Sequence, residues 1–167
     1  MDKKRILSGK KILIVDDEKD VLDSLVALLD TCKIDLASSF EEGKRLLEKN
    51  QYDIAVLDIM GVNGFELLRI AKERKIPALM LTAQALSEES LKKSAQDGAS
   101  YFAPKDKLSK IESFVADVIQ AREKNENPWV KWFLRLGSFY DKRFSGPGWR
   151  EKEREFWKEK LRNYPHS

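Results

Sequence analysis

The stretch AVLDIMGVNG, residues 55–64, places four features within ten positions. Its apolar run, starting one residue earlier as Ile54-Ala55-Val56-Leu57, shows no polar alternation. Such a run fits a strand covered on both faces, the kind found in parallel sheets. The strand ends in a carboxylate, Asp58, and two glycines, Gly61 and Gly64, follow within six residues. An apolar strand that delivers an acid to its end and then turns sharply calls for a chemical reason.

The same pattern recurs on either side. Lys11 to Val15, Ile34 to Ala37, Ala78 to Leu81 and Tyr101 to Ala103 read as further strands. Between them, Val21, Leu22, Leu25, Leu28 and Leu29 recur at helical spacing, and Phe65 to Glu73 makes a second amphipathic segment. Ser39 and Glu42 stand at capping-box spacing ahead of another helix. Ser87 can cap a helix that Gly98 stops, and Leu108 to about Arg122 carries an apolar face. Strict alternation of strands and helices predicts a five-stranded, parallel, doubly wound α/β sheet with helices on both faces, over residues 10–122.

Composition narrows the chemistry. The chain of 167 residues is 42% apolar and 35% charged, with a net charge of +3. No apolar run approaches the length of a transmembrane helix, and MDKKRILSGKK has no signal-peptide core. The single cysteine, Cys32, rules out an internal disulfide and fits a reducing, cytoplasmic setting. The one histidine, His166, leaves no basis for imidazole catalysis or a His-rich metal site.

In an open parallel sheet the functional rim lies at the carboxyl ends of the strands. Here the first strand runs into Asp16-Asp17, the third into Asp58, the fourth into Thr82 and the fifth into Pro104-Lys105. Any one of these is an ordinary loop residue; the fold gathers all four ends at one rim. Gathered carboxylates repel one another, and a divalent cation relieves that repulsion. Oxygen-only ligands suit a hard ion such as Mg²⁺, which keeps waters and binds phosphate oxygens. A lysine and a hydroxyl facing the ion make sense if a phosphoryl group arrives there, with an aspartate as its acceptor.

This ordered set, Asp16-Asp17, Asp58, Thr82-Ala83 and Lys105, resembles the receiver domain of two-component response regulators (CheY-like). The resemblance implies that Asp58 accepts phosphate from a sensor histidine kinase or phosphotransfer protein. It implies that Asp16, Asp17, Asp58 and the Met60 carbonyl hold Mg²⁺, that Thr82 and Lys105 bind phosphoryl oxygens, and that Thr82 swings inward as a switch. The aromatic reporter is Phe102 when counted back from Lys105 and Tyr101 when counted forward from Thr82. Met60 and Gln84 fall where the family tunes dephosphorylation, and an apolar Met60 implies a phosphoryl lifetime of minutes or longer. Two departures stand out: Asn63-Gly64 arrives two residues early with no proline in the loop, and the family's Lys-Pro is inverted to Pro104-Lys105. They leave open a receiver-like scaffold that takes no phosphate. An enzyme is not expected, since aspartate-nucleophile phosphatases place a second acid where Met60 stands.

Composition breaks near AREKNENPW, so residues 123–128 read as a linker. Residues 123–167 hold 11 basic and 7 acidic side chains and 10 of the 16 aromatics, including every tryptophan. Trp129, Trp132, Phe133, Leu136 and Tyr140 form one helical stripe, and Trp149, Phe156, Trp157, Leu161 and Tyr164 a looser one, which predicts a helical hairpin over 129–167. Three readings of it stay open. The stripes extend the core of the first domain; they form a surface for a downstream protein or self-association; or they bind nucleic acid or an anionic membrane. Glu151, Glu153, Glu155 and Glu159 interrupt the basic face and weigh against the last.

Overall fold

The computed structural model describes residues 2–83, 87–144 and 146–162; Gln84, Tyr164 and His166 lie outside them. Five strands, β1 (Lys11–Val15), β2 (Lys33–Ala37), β3 (Ile54–Asp58), β4 (Ala78–Thr82) and β5 (Tyr101–Pro104), form one sheet in the order β2-β1-β3-β4-β5. Every pairing is parallel. β3 and β4 are buried along their whole length, which is why their sequences show no alternation. β2, at the opposite edge from β5, is buried only at Ala37.

Helices α2 (Lys19–Leu28) and α6 (Ile111–Glu123) cover one face; α3 (Phe40–Lys49), α4 (Gly64–Glu73) and α5 (Glu88–Gln96) cover the other. The expected caps form: Ser39 Oγ accepts from the Glu42 amide at 3.2 Å, and Ser87 Oγ from the Ser90 amide at 3.0 Å. The doubly wound sheet expected from the alternating pattern is the one observed. One element was not anticipated: α1 (Lys3–Leu7) buries Ile6 and Leu7 against α6. A 3-10 turn, Lys105–Lys110, precedes α6 and takes up Leu108, which the sequence reading assigned to the helix.

The tail packs on the sheet domain and extends its core. α7 (Pro128–Arg143) lies along β5 and α6, with Trp129, Trp132, Leu136 and Tyr140 buried. Trp129 Nε1 donates to the Ala99 carbonyl at 3.0 Å and Trp132 Nε1 to the Phe102 carbonyl at 2.6 Å. The 123–128 segment is compact: Asn125 takes a left-handed conformation, and buried Asn127 caps α7 by accepting from the Trp129 amide at 2.9 Å. The predicted second arm is not one helix. It splits at Glu153 into α8 (Gly148–Lys152) and α9 (Arg154–Lys160), because Trp149 and Trp157 must both turn into one aromatic cluster. Leu161, assigned to the buried stripe, is 37% exposed. Among the described residues no helix is long and apolar enough to cross a membrane.

Candidate functional site

Strand order reverses between β1 and β3, and the polar strand ends meet beside that point. Asp16 is fully buried, Asp58 is 3% exposed and Thr82 7% exposed. Lys105 Nζ lies 2.9 Å from Asp16 Oδ2, 3.2 Å from Asp58 Oδ1 and 2.7 Å from Glu18 Oε1. The inverted Pro104-Lys105 therefore still brings the lysine between the two aspartates. Pro104 continues the extended strand, and no cis peptide is found among the described residues.

The glycines of the opening stretch answer its question. Gly61 has φ +81°, and a Cβ there would stand 2.5 Å from Asp17 Oδ2. A Cβ on Gly64 would stand 2.1 Å from the Asp58 backbone carbonyl oxygen. The chain doubles back so tightly against Asp17 and Asp58 that a Cβ at Gly64 has no room and one at Gly61 fits only if the Asp17 carboxylate moves. This close return is how the shortened loop is accommodated. Met60, just before Gly61, is 72% exposed.

Electrostatics follow from the burial. Removal from water pushes the Asp58 carboxyl up to about 6, with the Asp16 charge adding to the effect and Lys105 opposing it. Burial also raises Asp16, against its hydrogen bond from the Glu18 amide and its pairing with Lys105. For Lys105 burial works downward, and the carboxylates of Glu18, Asp16 and Asp58 outweigh it to hold the ammonium charged.

Asp16, Asp17 and Glu18 bring carboxylate oxygens within 4.8 Å of one another, a donor set of the hard-oxygen kind. Asp16 Oδ2 is buried and makes no aligned hydrogen bond despite its ion contact with Lys105, so it retains coordinating capacity. These three residues fit a divalent cation, and the group does not include Asp58, which the sequence reading placed among the ligands. Glu18 was not singled out in the sequence, although it stands third in the unbroken acidic run after β1.

Among the described residues Thr82 Oγ1 makes a single long contact, 3.5 Å, with the Ala83 carbonyl. Strand alternation sends the two candidate reporters apart. Tyr101 points to α6, where its hydroxyl donates to Asp117 at 2.7 Å; the Phe102 ring lies 5.7 Å from that of Tyr140 in the tail. Asp117 also receives Arg135 Nε of α7 at 2.7 Å.

Comparison with known proteins agrees with this architecture. The heme response regulator HssR of Staphylococcus aureus (strain bovine RF122 / ET3-1) is 43% identical over 83 residues, 46% of this chain and 37% of HssR. The chain thus spans little more than a third of the curated relatives it matches. A CheY-like receiver domain protein from Methanospirillum hungatei JF-1 superposes with a TM-score of 0.56 at 30% identity, covering 68% of this chain and 98% of its own. A two-component response regulator from Clostridium difficile shares the fold, with a TM-score of 0.61 at 24% identity over 67% of this chain and 97% of its own. The response regulator receiver domain profile matches residues 12–116, and with β2–β5, all of β1 but Lys11, and the acidic rim inside that span, the chain belongs to the response regulator receiver domain family.

Proposed function

We propose that the chain is a phosphorylation-switched signalling protein in which Asp58 accepts a phosphoryl group from a phosphohistidine of a sensor kinase or phosphotransfer protein. What supports this reading is the position of Lys105 Nζ, within 3.2 Å of both Asp58 and Asp16. An Asp58 carboxylate oxygen forms the new bond to phosphorus, the phosphorus–nitrogen bond breaks, and the imidazole leaves with its electron pair and takes up a proton. Asp16, Asp17 and Asp58, with the Met60 carbonyl, would hold Mg²⁺, which when bound supplies positive charge to offset the acids and the phosphoryl oxygens.

Lys105 pairs with one phosphoryl oxygen. Thr82, whose hydroxyl makes a long contact with the Ala83 carbonyl, turns inward to donate to another. The tail reads the result through β5, because Trp132 is bonded to the Phe102 carbonyl and Tyr140 touches its ring.

The test is intact mass after incubation with acetyl phosphate and Mg²⁺, with Asp58→Asn as the control. One phosphoryl addition, absent from the variant, is the expected result. No addition would overturn the reading and leave a receiver fold that signals by binding alone.

A further inference from the structure

At the far end of the sheet from Asp58, a cavity of about 200 Å³ opens between the domain and its tail. Ile76, Pro77 and Ser100 line it at the beginnings of β4 and β5, and Pro128 lines it at the start of α7. Four cationic side chains, Lys72, Lys75, Arg122 and Lys160, share the lining, and no carboxylate does. None of the four has an ion pair among the described residues. Three acids flanking the lining pair elsewhere: Asp97 with Lys93, Glu123 with Lys10 and Glu126 with Lys131.

A solvated basic face would spread such charges apart, and here they converge. The Lys72 stem lies over Gly98, close enough that a Cβ there would stand 2.7 Å from Lys72 Cδ. Lys160 is half-buried; its loss of water and the Lys72 charge both lower its pKa, as expected where positive charges meet with no neutralising partner among the described residues. The positive end of the 16-residue α7 faces the same opening.

We propose that this cavity is an anion-binding site for a compact, phosphate-bearing small molecule, held by Lys72, Lys75, Lys160 and the Arg122 guanidinium. Its volume is below that of pockets for drug-sized ligands, and its donors match phosphate oxygens. The Ser100 hydroxyl is a further donor. Because Lys72, Lys75 and Arg122 belong to the domain and Lys160 to the tail, the bound anion ties one to the other. This site does not depend on phosphorylation of Asp58, from which it is separated by the length of β4, about 16 Å.

Calorimetric titration of the full chain with inorganic pyrophosphate, in EDTA to exclude divalent cations, tests the site. Saturable binding of one pyrophosphate is expected, weakened about tenfold by Lys72→Gln and by Lys160→Gln. Near-UV circular dichroism of the tryptophan-rich tail checks that both variants remain folded, and the truncated side chains remove no ion pair that would unfold them. Asp58→Asn should bind as the parent does. Absence of saturable binding, or equal affinity in parent and both variants, overturns the proposal. So does a short DNA duplex that binds through these lysines with steep salt dependence and is not displaced by pyrophosphate.

Discussion

Trp132 Nε1 donates to the Phe102 carbonyl at 2.6 Å, so a tail side chain satisfies a main-chain acceptor of the edge strand that leads to Lys105. Trp132→Phe keeps most of the ring packing and leaves that carbonyl without its donor. The expected cost is about 1–3 kcal/mol, read as a lowered urea midpoint with unchanged slope. A neutral substitution would mean that the bond contributes nothing to holding the tail.

Asp117, 7% exposed, is shared between the Tyr101 hydroxyl and Arg135 of the tail. Arg135→Ala leaves a nearly buried carboxylate with one neutral donor and should lower stability by about 1–3 kcal/mol. Asp117→Asn in the same background should recover part of that loss, because the uncompensated charge is gone. A double-mutant cycle with no coupling would show that the pair acts as two independent surface groups.

Gly64 and Gly61 should fail in different ways. Gly64→Ala drives a Cβ into the Asp58 main-chain oxygen, which cannot move without shifting β3, so a loss of about 3 kcal/mol or more is expected. Gly61→Ala meets the Asp17 carboxylate, a side chain that can swing aside, and adds the strain of a left-handed alanine, about 1–2 kcal/mol. Its larger effect should be on Mg²⁺ affinity, measured by tryptophan fluorescence titration. If both variants lost stability equally and metal binding were untouched, Gly61 would have no role at the site.

Without divalent cation, the raised Asp58 carboxyl sets a pH dependence. Its value moves from 3.8 to about 6 on folding, so between those limits the folded state binds more protons than the unfolded one. Stability from this group is therefore greatest below pH 4 and falls as pH rises through 6. Asp58→Asn should flatten that slope and raise stability at pH 7 by about 1–3 kcal/mol. Thermal unfolding in EDTA from pH 4.5 to 7.5 is the measurement, and a slope of opposite sign would sink the argument.

The sheet and its rim were legible because a strand buried on both faces has a plain signature, and a polar residue at its end is conspicuous. Asp16, Asp58, Thr82 and Lys105 could be paired without knowing any distance, since parallel topology alone collects strand ends. Glu18 was missed because its part depends on where the Lys105 side chain finishes, which no spacing reveals. α1 spans five residues, too few for a helical period to show. The tail's break at Glu153 escaped notice because the aromatics around it satisfy a helical stripe approximately; their convergence on one cluster with Trp132 is a three-dimensional constraint.

Tyr140 is fully buried, yet its hydroxyl has no hydrogen-bond partner among the described residues. An unsatisfied buried hydroxyl costs about 1–3 kcal/mol, and it sits in the half of α7 that ends beside Asp106, the neighbour of Lys105, through Arg143. The other half is fastened by Trp129 and Trp132. The helix is thus fastened at both ends, by tryptophan hydrogen bonds at one and by the pairs of Arg143 with Asp106 and Arg150 with Asp141 at the other, with the unsatisfied hydroxyl in between. Amide hydrogens near Tyr140 should exchange with solvent faster than those near Trp132, whose indole is bonded to the sheet, and that turn should be the first part of α7 to part from Phe102 when the rim changes.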